Sequence, residues 1–169
     1  MSLILALILV SAAVPQTTAQ PGMSVEAYQV TELPITITDG TLLRAKDGYL
    51  LKCLMANNSE FSLLGLRYSL AVVDPMNVTK VVVTRSEGLK LAQHETKSLI
   101  FRTPIKLKLK PDDRLVLLPE QIVSSDYVWE VMKPKNAMQA YIAGDYSVQP
   151  RVQRLRNQVD APPRRRVIY

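Results

Sequence analysis

A chain of 169 residues with 47% hydrophobic and 21% charged side chains is long enough for one domain with a real core and too short for two comfortable ones. That composition excludes a fully disordered, collagen-like or multi-span membrane protein. A single Cys and a single His exclude an intramolecular disulfide and a multi-His or Cys/His zinc centre, and the net charge of +6 is unevenly spread along the chain.

The first elements are a leader and a core. Leu3 to Val14 is almost purely apolar and is followed by Pro15, two Thr and Ala19. A run this short matches the apolar region of a secretory signal peptide and falls short of the roughly 20 residues that span a bilayer as a helix. Cleavage after Ala19 is expected, although no Lys or Arg precedes the run. The organisation predicted is therefore a signal peptide over 1–19, a domain over 20–145 and a tail over 146–169, in a secreted or periplasmic protein.

Within the domain the pattern has mostly period two. Tyr49 to Ala56 is predicted as a strand, although Leu50, Leu51, Leu54 and Met55 also match helical spacing. Leu64, Leu66, Tyr68, Leu70 and Val72 fall on one face of the next strand, and Asp74-Pro75-Met76-Asn77 turns the chain into a second strand from Val78 to Arg85. Ile105, Leu107 and Leu109 alternate with Lys106, Lys108 and Lys110, and Pro104 separates that strand from Phe101. Pro111-Asp112-Asp113 makes a turn, Leu115 to Leu118 and Tyr127 to Val131 give two further strands, and Asn136 to Ala143 reads as a short helix capped by Asn136 and stopped at Gly144. About seven strands without a sustained helical pattern predict an all-β, immunoglobulin-like antiparallel β-sandwich.

The segments Leu54 to Ser59, Leu64 to Asp74, Val81 to Thr84 and Ile100-Phe101 together resemble a bacterial extracytoplasmic β-sandwich of the FxLYD type. The Asn57-Asn58-Ser59 turn, the alternating strand ending in Asp74, the hairpin and the later strand reaching a Phe carry the likeness, which covers roughly residues 49–103. Val73 stands where that pattern has an aromatic residue, and no Gly follows Asp74. The resemblance implies an immunoglobulin-like sandwich and export, and it supplies no catalytic residues.

Chemistry-bearing residues are few. His94 beside Glu95 could form an acid/base pair, but neighbours on an extended chain point to opposite faces. Cys53 could serve as a nucleophile only if a positive neighbour lowered its pKa, and otherwise acts as a small buried hydrophobe. Asp112, Asp113 and Glu120 lack the spacing of a calcium loop and read as turn formers. Glycine spacing rules out the usual phosphate-cradling loops, and there is no G-x-S-x-G; no cofactor and no metal is implied. Two N-glycosylation sequons, at Asn57 and Asn77, fall in predicted turns.

The charge lies at the C-terminal end. Residues 146–169 hold six Arg and one Asp, a net of +5: Arg151, Arg154, Arg156, Arg164, Arg165 and Arg166. With Pro150, Pro162 and Pro163 among them, this stretch is predicted to be extended and mobile, a polyanion-binding tail. Nucleic acid is disfavoured because the aromatic interleaving of a single-strand binder is missing. Two function classes follow. In the first, the chain is an exported, non-catalytic binding or structural module of the cell envelope, offering a sheet edge to an envelope protein and its Arg tail to an anionic polymer or membrane surface. In the second, it is a small hydrolase or thiol enzyme using Cys53 or His94.

Overall fold

The computed structural model describes residues 22–103 and 109–155, so the leader, most of the Ile105 to Leu109 strand and Arg156, Arg164, Arg165 and Arg166 lie outside the described residues. The protein is all-β with one short helix. Its strands are β1 (Met23–Ala27), β2 (Ile35–Ala45), β3 (Gly48–Asn57), β4 (Leu63–Val73), β5 (Thr79–Leu91), β6 (Thr96–Thr103), β7 (Arg114–Ser124), β8 (Tyr127–Val131) and β9 (Pro150–Arg154), with α1 (Pro134–Ile142) between β8 and β9. All nine strands belong to one hydrogen-bonded sheet in the order β5-β4-β7-β1-β2-β3-β6, with β8 pairing β7 and β9 pairing β8.

Two antiparallel sets meet at a parallel seam. β1 runs antiparallel to β2 and parallel to β7, with Val25 opposite Leu115 and Ala27 opposite Leu117. β5 and β6 follow one another in sequence with four residues between them, yet occupy opposite ends of the sheet order. The sheet must therefore curl until its two ends meet, and the core fills the inside: Tyr68 of β4 packs on Phe101 of β6 with ring centroids 5.8 Å apart.

The curl is held at one end by Asn57, which is buried. Its Nδ2 donates to the carbonyls of Phe61 (2.7 Å) and Ala92 (2.8 Å), and its Oδ1 accepts from the backbone N–H and hydroxyl of Ser59. Its own N–H donates to Glu95 O at 2.9 Å. The whole side chain thus clamps the end of β3 to the 92–95 turn that joins the two sheet ends. An amide already donating twice from the interior is not presented as a glycan acceptor.

Three bulges decide which residues face the core. In β2 the register slips between Thr38 and Thr41, so burial moves from Ile35 and Ile37 to Leu42. Gly40 is required there because a Cβ would lie 2.5 Å from Val25 O of β1. In β4, Leu64 is the extra residue opposite β7 and is exposed, whereas Leu63 is buried; the predicted inward row therefore begins at Leu66. In β7, Glu120 is the extra residue between the pairs Arg67–Gln121 and Tyr68–Pro119. Pro119 has no N–H to donate and stands where β1 has ended at Leu117 and β8 begins at Gln121, a gap in the ladder on that side.

The C-terminal part differs from expectation. The helix starts at Pro134, with Lys133 at the N-cap in a left-handed conformation and no side-chain cap, so Asn136 lies inside the helix. Gly144, at φ +83°, ends it as predicted. The chain does not become a loose tail at 146. Tyr146 packs against Tyr28 and Tyr141, with centroids 6.5 and 5.3 Å away, and Pro150–Arg154 pairs with β8 across five residues. Pro150 is tolerated because it is the first residue of an outer strand.

Replacing the buried Asn57 by Ala removes the amide bonds to both carbonyls, leaving Phe61 O with the Ser59 hydroxyl and Ala92 O with the Glu95 N–H, and should cost about 1–3 kcal/mol. Urea unfolding should show a lower midpoint, and amide exchange should rise around residues 92–95 before it rises in β4 and β7.

Candidate functional site

At β3's opposite end no strand pairing closes the curl among the described residues. β3 has ten residues, so at about 3.3 Å per residue its Gly48 end lies roughly 30 Å from the Asn57 clamp. Here a cleft of about 600 Å³ opens, lined by Tyr49, by Lys46 and Asp47 of the β2–β3 loop, by Arg85 and Glu87 of β5 and by Arg102 of β6. Its walls are the two sheet ends, and no ladder joins β5 to β6 among the described residues.

The position of Arg85 and Glu87 is unusual for charged side chains. They sit opposite the fully buried Tyr68 and Leu66, on the alternating row of β5 that continues into buried Leu89 and Leu91. Two charges therefore occupy the core-facing side of an otherwise apolar strand. Arg85 Nε is buried and has no hydrogen-bond partner. None of Lys46, Asp47, Arg85, Glu87 and Arg102 makes an ion pair among the described residues. The cleft thus presents three cations and two carboxylates with no internal neutralisation. Sequence reasoning ended this strand at Arg85. The signal that continued it was the alternation of Leu89 and Leu91 with Lys90, which places Arg85 and Glu87 on the apolar row.

The other charged interior group is fully engaged. Glu120, buried on its bulge, accepts from Ser69 Oγ and lies 3.3 Å from Arg67 Nε, while Arg67 Nη2 donates to Glu130 at 2.8 Å. Glu120 is therefore not a turn former but the buried end of an ion cluster whose other members, Arg67 and Glu130, are half-buried. Asp113 does cap its turn: it accepts from Lys80 Nζ (2.5 Å) and from the Lys110 N–H (2.9 Å). The Lys80 hydrogen bond, joined by that from Lys110, holds its carboxyl below the usual 3.8. Among the described residues no three His, Cys, Asp or Glu side chains gather as a metal site.

Cys53 and His94 are not brought together. Cys53 is buried in the middle of β3, and burial pushes its thiol up to about 11. His94 lies on the exposed turn beyond the Asn57 end, in a left-handed conformation, with Nε2 3.1 Å from Glu60. Glu95 does not orient it. The Glu95 carboxylate accepts the Ala92 N–H instead, and the histidine's actual partner, Glu60, comes from the β3–β4 connection. Of the six arginines in the basic segment, Arg151 and Arg154 stand exposed on β9, fixed by its pairing with β8, and the other four lie outside the described residues. Asn77 holds the β4–β5 turn at positive φ, its Oδ1 accepting from Arg114 Nη2 at 2.6 Å.

No family model matches the chain, and neither a curated protein nor a solved structure matches it. Among the described residues no helix is long and apolar enough to cross a membrane.

Two measurements check these assignments. Cys53 should stay unreactive toward a thiol-specific disulfide reagent at pH 8 in the folded protein and react at once in denaturant, because thiolate is the reacting form. Asp113 has a depressed folded pKa, so its contribution to stability is present above pH 3.8 and is lost as pH falls through the lower folded value. Asp113→Asn should destabilise the protein at neutral pH and flatten the acid limb of its stability profile below about pH 4.

Proposed function

We propose that this protein is an exported, non-catalytic binding module of the cell envelope that takes an extended segment of a partner protein along the free edge of β5. The observation that carries this reading is the character of that edge. β5 has 13 residues and pairs only with β4 among the described residues. Its exposed row, Val82, Thr84, Ser86 and Gly88, holds no charge over its central stretch. An unpaired strand whose outer row is neutral between Lys80 and Lys90 can template another strand, and the charges of its inner row, Arg85 and Glu87, line the cleft. The cleft beside it supplies side-chain recognition, and Arg151 and Arg154 on β9, with the arginines that follow, supply electrostatic contact to an anionic envelope polymer or membrane surface.

Export rests on the apolar leader and on the likeness to FxLYD-type extracytoplasmic sandwiches, which supplies no catalytic residues. The competing reading, a hydrolase or thiol enzyme, would need Cys53 or His94 in a shared pocket. A neutral buried thiol in mid-strand and an exposed turn histidine engaged with Glu60 count against it.

The edge is tested by Val82→Lys with Gly88→Lys, positions whose side chains face solvent; a Cβ at Gly88 meets nothing within 4 Å. The double variant should keep its unfolding midpoint and lose capture of its partner from envelope extract at least about tenfold, a loss of about 1.4 kcal/mol. Truncation after Leu155, which retains β9, should remove only the low-salt component of binding to anionic vesicles. Unchanged capture by the Lys variant would overturn the edge reading.

A further inference from the structure

We propose that the cleft seats a carboxylate side chain of the partner segment on Arg85, so that the strand recognised by β5 is an acidic one. This rests on the edge reading above and adds the chemistry of the occupant. Arg85 projects from the same strand that offers its backbone, so a segment paired along β5 is carried past its guanidinium. That group has five donors in a planar fork, and among the described residues it makes no ion pair and its buried Nε has no acceptor. A carboxylate matches the fork by two parallel hydrogen bonds, one of which can go to Nε.

The neighbours set how much negative charge is accepted. Arg102 from the opposite sheet end and Lys46 from the β2–β3 loop reinforce the positive field, whereas Glu87 and Asp47 line the same cleft. Three cations against two carboxylates suit one added negative charge and oppose a polyanion. Glu87 follows Arg85 on the same row, so the carboxylate next along the partner segment would meet repulsion, and a neutral or basic side chain belongs there. The specificity expected is a single acidic residue in an otherwise neutral extended segment. This is distinct from the polymer contact assigned to the β9 arginines, which carries no such limit.

The test uses the full chain and two labelled, blocked heptapeptides of alternating Thr and Val, one with a central Glu and one with Gln, read by fluorescence anisotropy at low salt. The Glu peptide should bind about tenfold more tightly. Arg85→Gln should bring it to the level of the Gln peptide, and Arg102→Gln, separately, should lower it part of the way, neither changing the Gln peptide's affinity. Arg102 is exposed, so its variant keeps the test valid should Arg85→Gln fail to fold. Equal affinities for the two peptides, both weakened by Val82→Lys with Gly88→Lys, would overturn the carboxylate site and leave the edge reading standing. Binding that ignores the edge variant, or no binding of either peptide, would overturn both. Displacement of the Glu peptide by N-acetylglutamate α-amide, whose side-chain carboxylate is free, at an equal concentration would overturn the strand-borne carboxylate in favour of a small-acid site.

Discussion

The geometry of this protein depends on Asn57. Four residues separate β5 from β6, and those strands terminate the two ends of one sheet. A flat or gently twisted sheet could not bring them together, so the connection forces the curl, and the Asn57 side chain fixes it by bonding the turn, the end of β3 and the approach to β4 at once. Among the described residues no strand pairing joins the two sheet ends at the other end of β3. The cleft is the consequence of that single-ended closure, not a feature added to a closed body.

Two arginines near the interior show how the same residue type takes different roles. Arg67 lies between Glu120 and Glu130, carboxylates contributed by the bulge in β7 and by β8, and its charge is spent within the fold. Arg85, one strand away on the face shared with Tyr68, has no carboxylate within ion-pair distance among the described residues. Both Nε atoms are buried without a hydrogen bond, a costly state, and only that of Arg67 has a carboxylate beside it among the described residues, Glu120 at 3.3 Å. The contrast is the physical reason for assigning recognition to Arg85 and structure to Arg67.

The sequence made the strands of the middle legible because clean alternation survives there: β3, the body of β4, the β4–β5 hairpin, β7 and β8 follow from Tyr49, Leu66, Tyr68, Leu70, the Asp74 turn and Trp129. β2 was hidden by its own bulge, since Asp39-Gly40 reads as a turn but sits within a strand and shifts Leu42 to the opposite parity from Ile37. β9 was hidden by composition. Arginine and proline signal an exposed tail, and nothing local announces that Tyr146 will pack on Tyr28 or that β8 has an edge to offer. The cleft was invisible for a related reason. It is assembled from β2, β3, β5 and β6, whose ends are brought together only by a curl that depends on a buried asparagine, and asparagine in a turn is ordinarily read as a turn former.

The parallel seam also sets a timetable. β1 can pair with β2 as soon as both exist, but its other side is reserved for β7, about 90 residues further along. At synthesis rates of about 5–20 residues per second, that row of amides and carbonyls waits some 5–20 s for its partner. The entropy of closing so long a loop is only modestly larger than for a short one, so the delay costs little in final stability. What it governs is the interval in which β1 is free to choose a wrong neighbour, and that hazard is set by how fast the chain is made rather than by how well the finished sheet holds together.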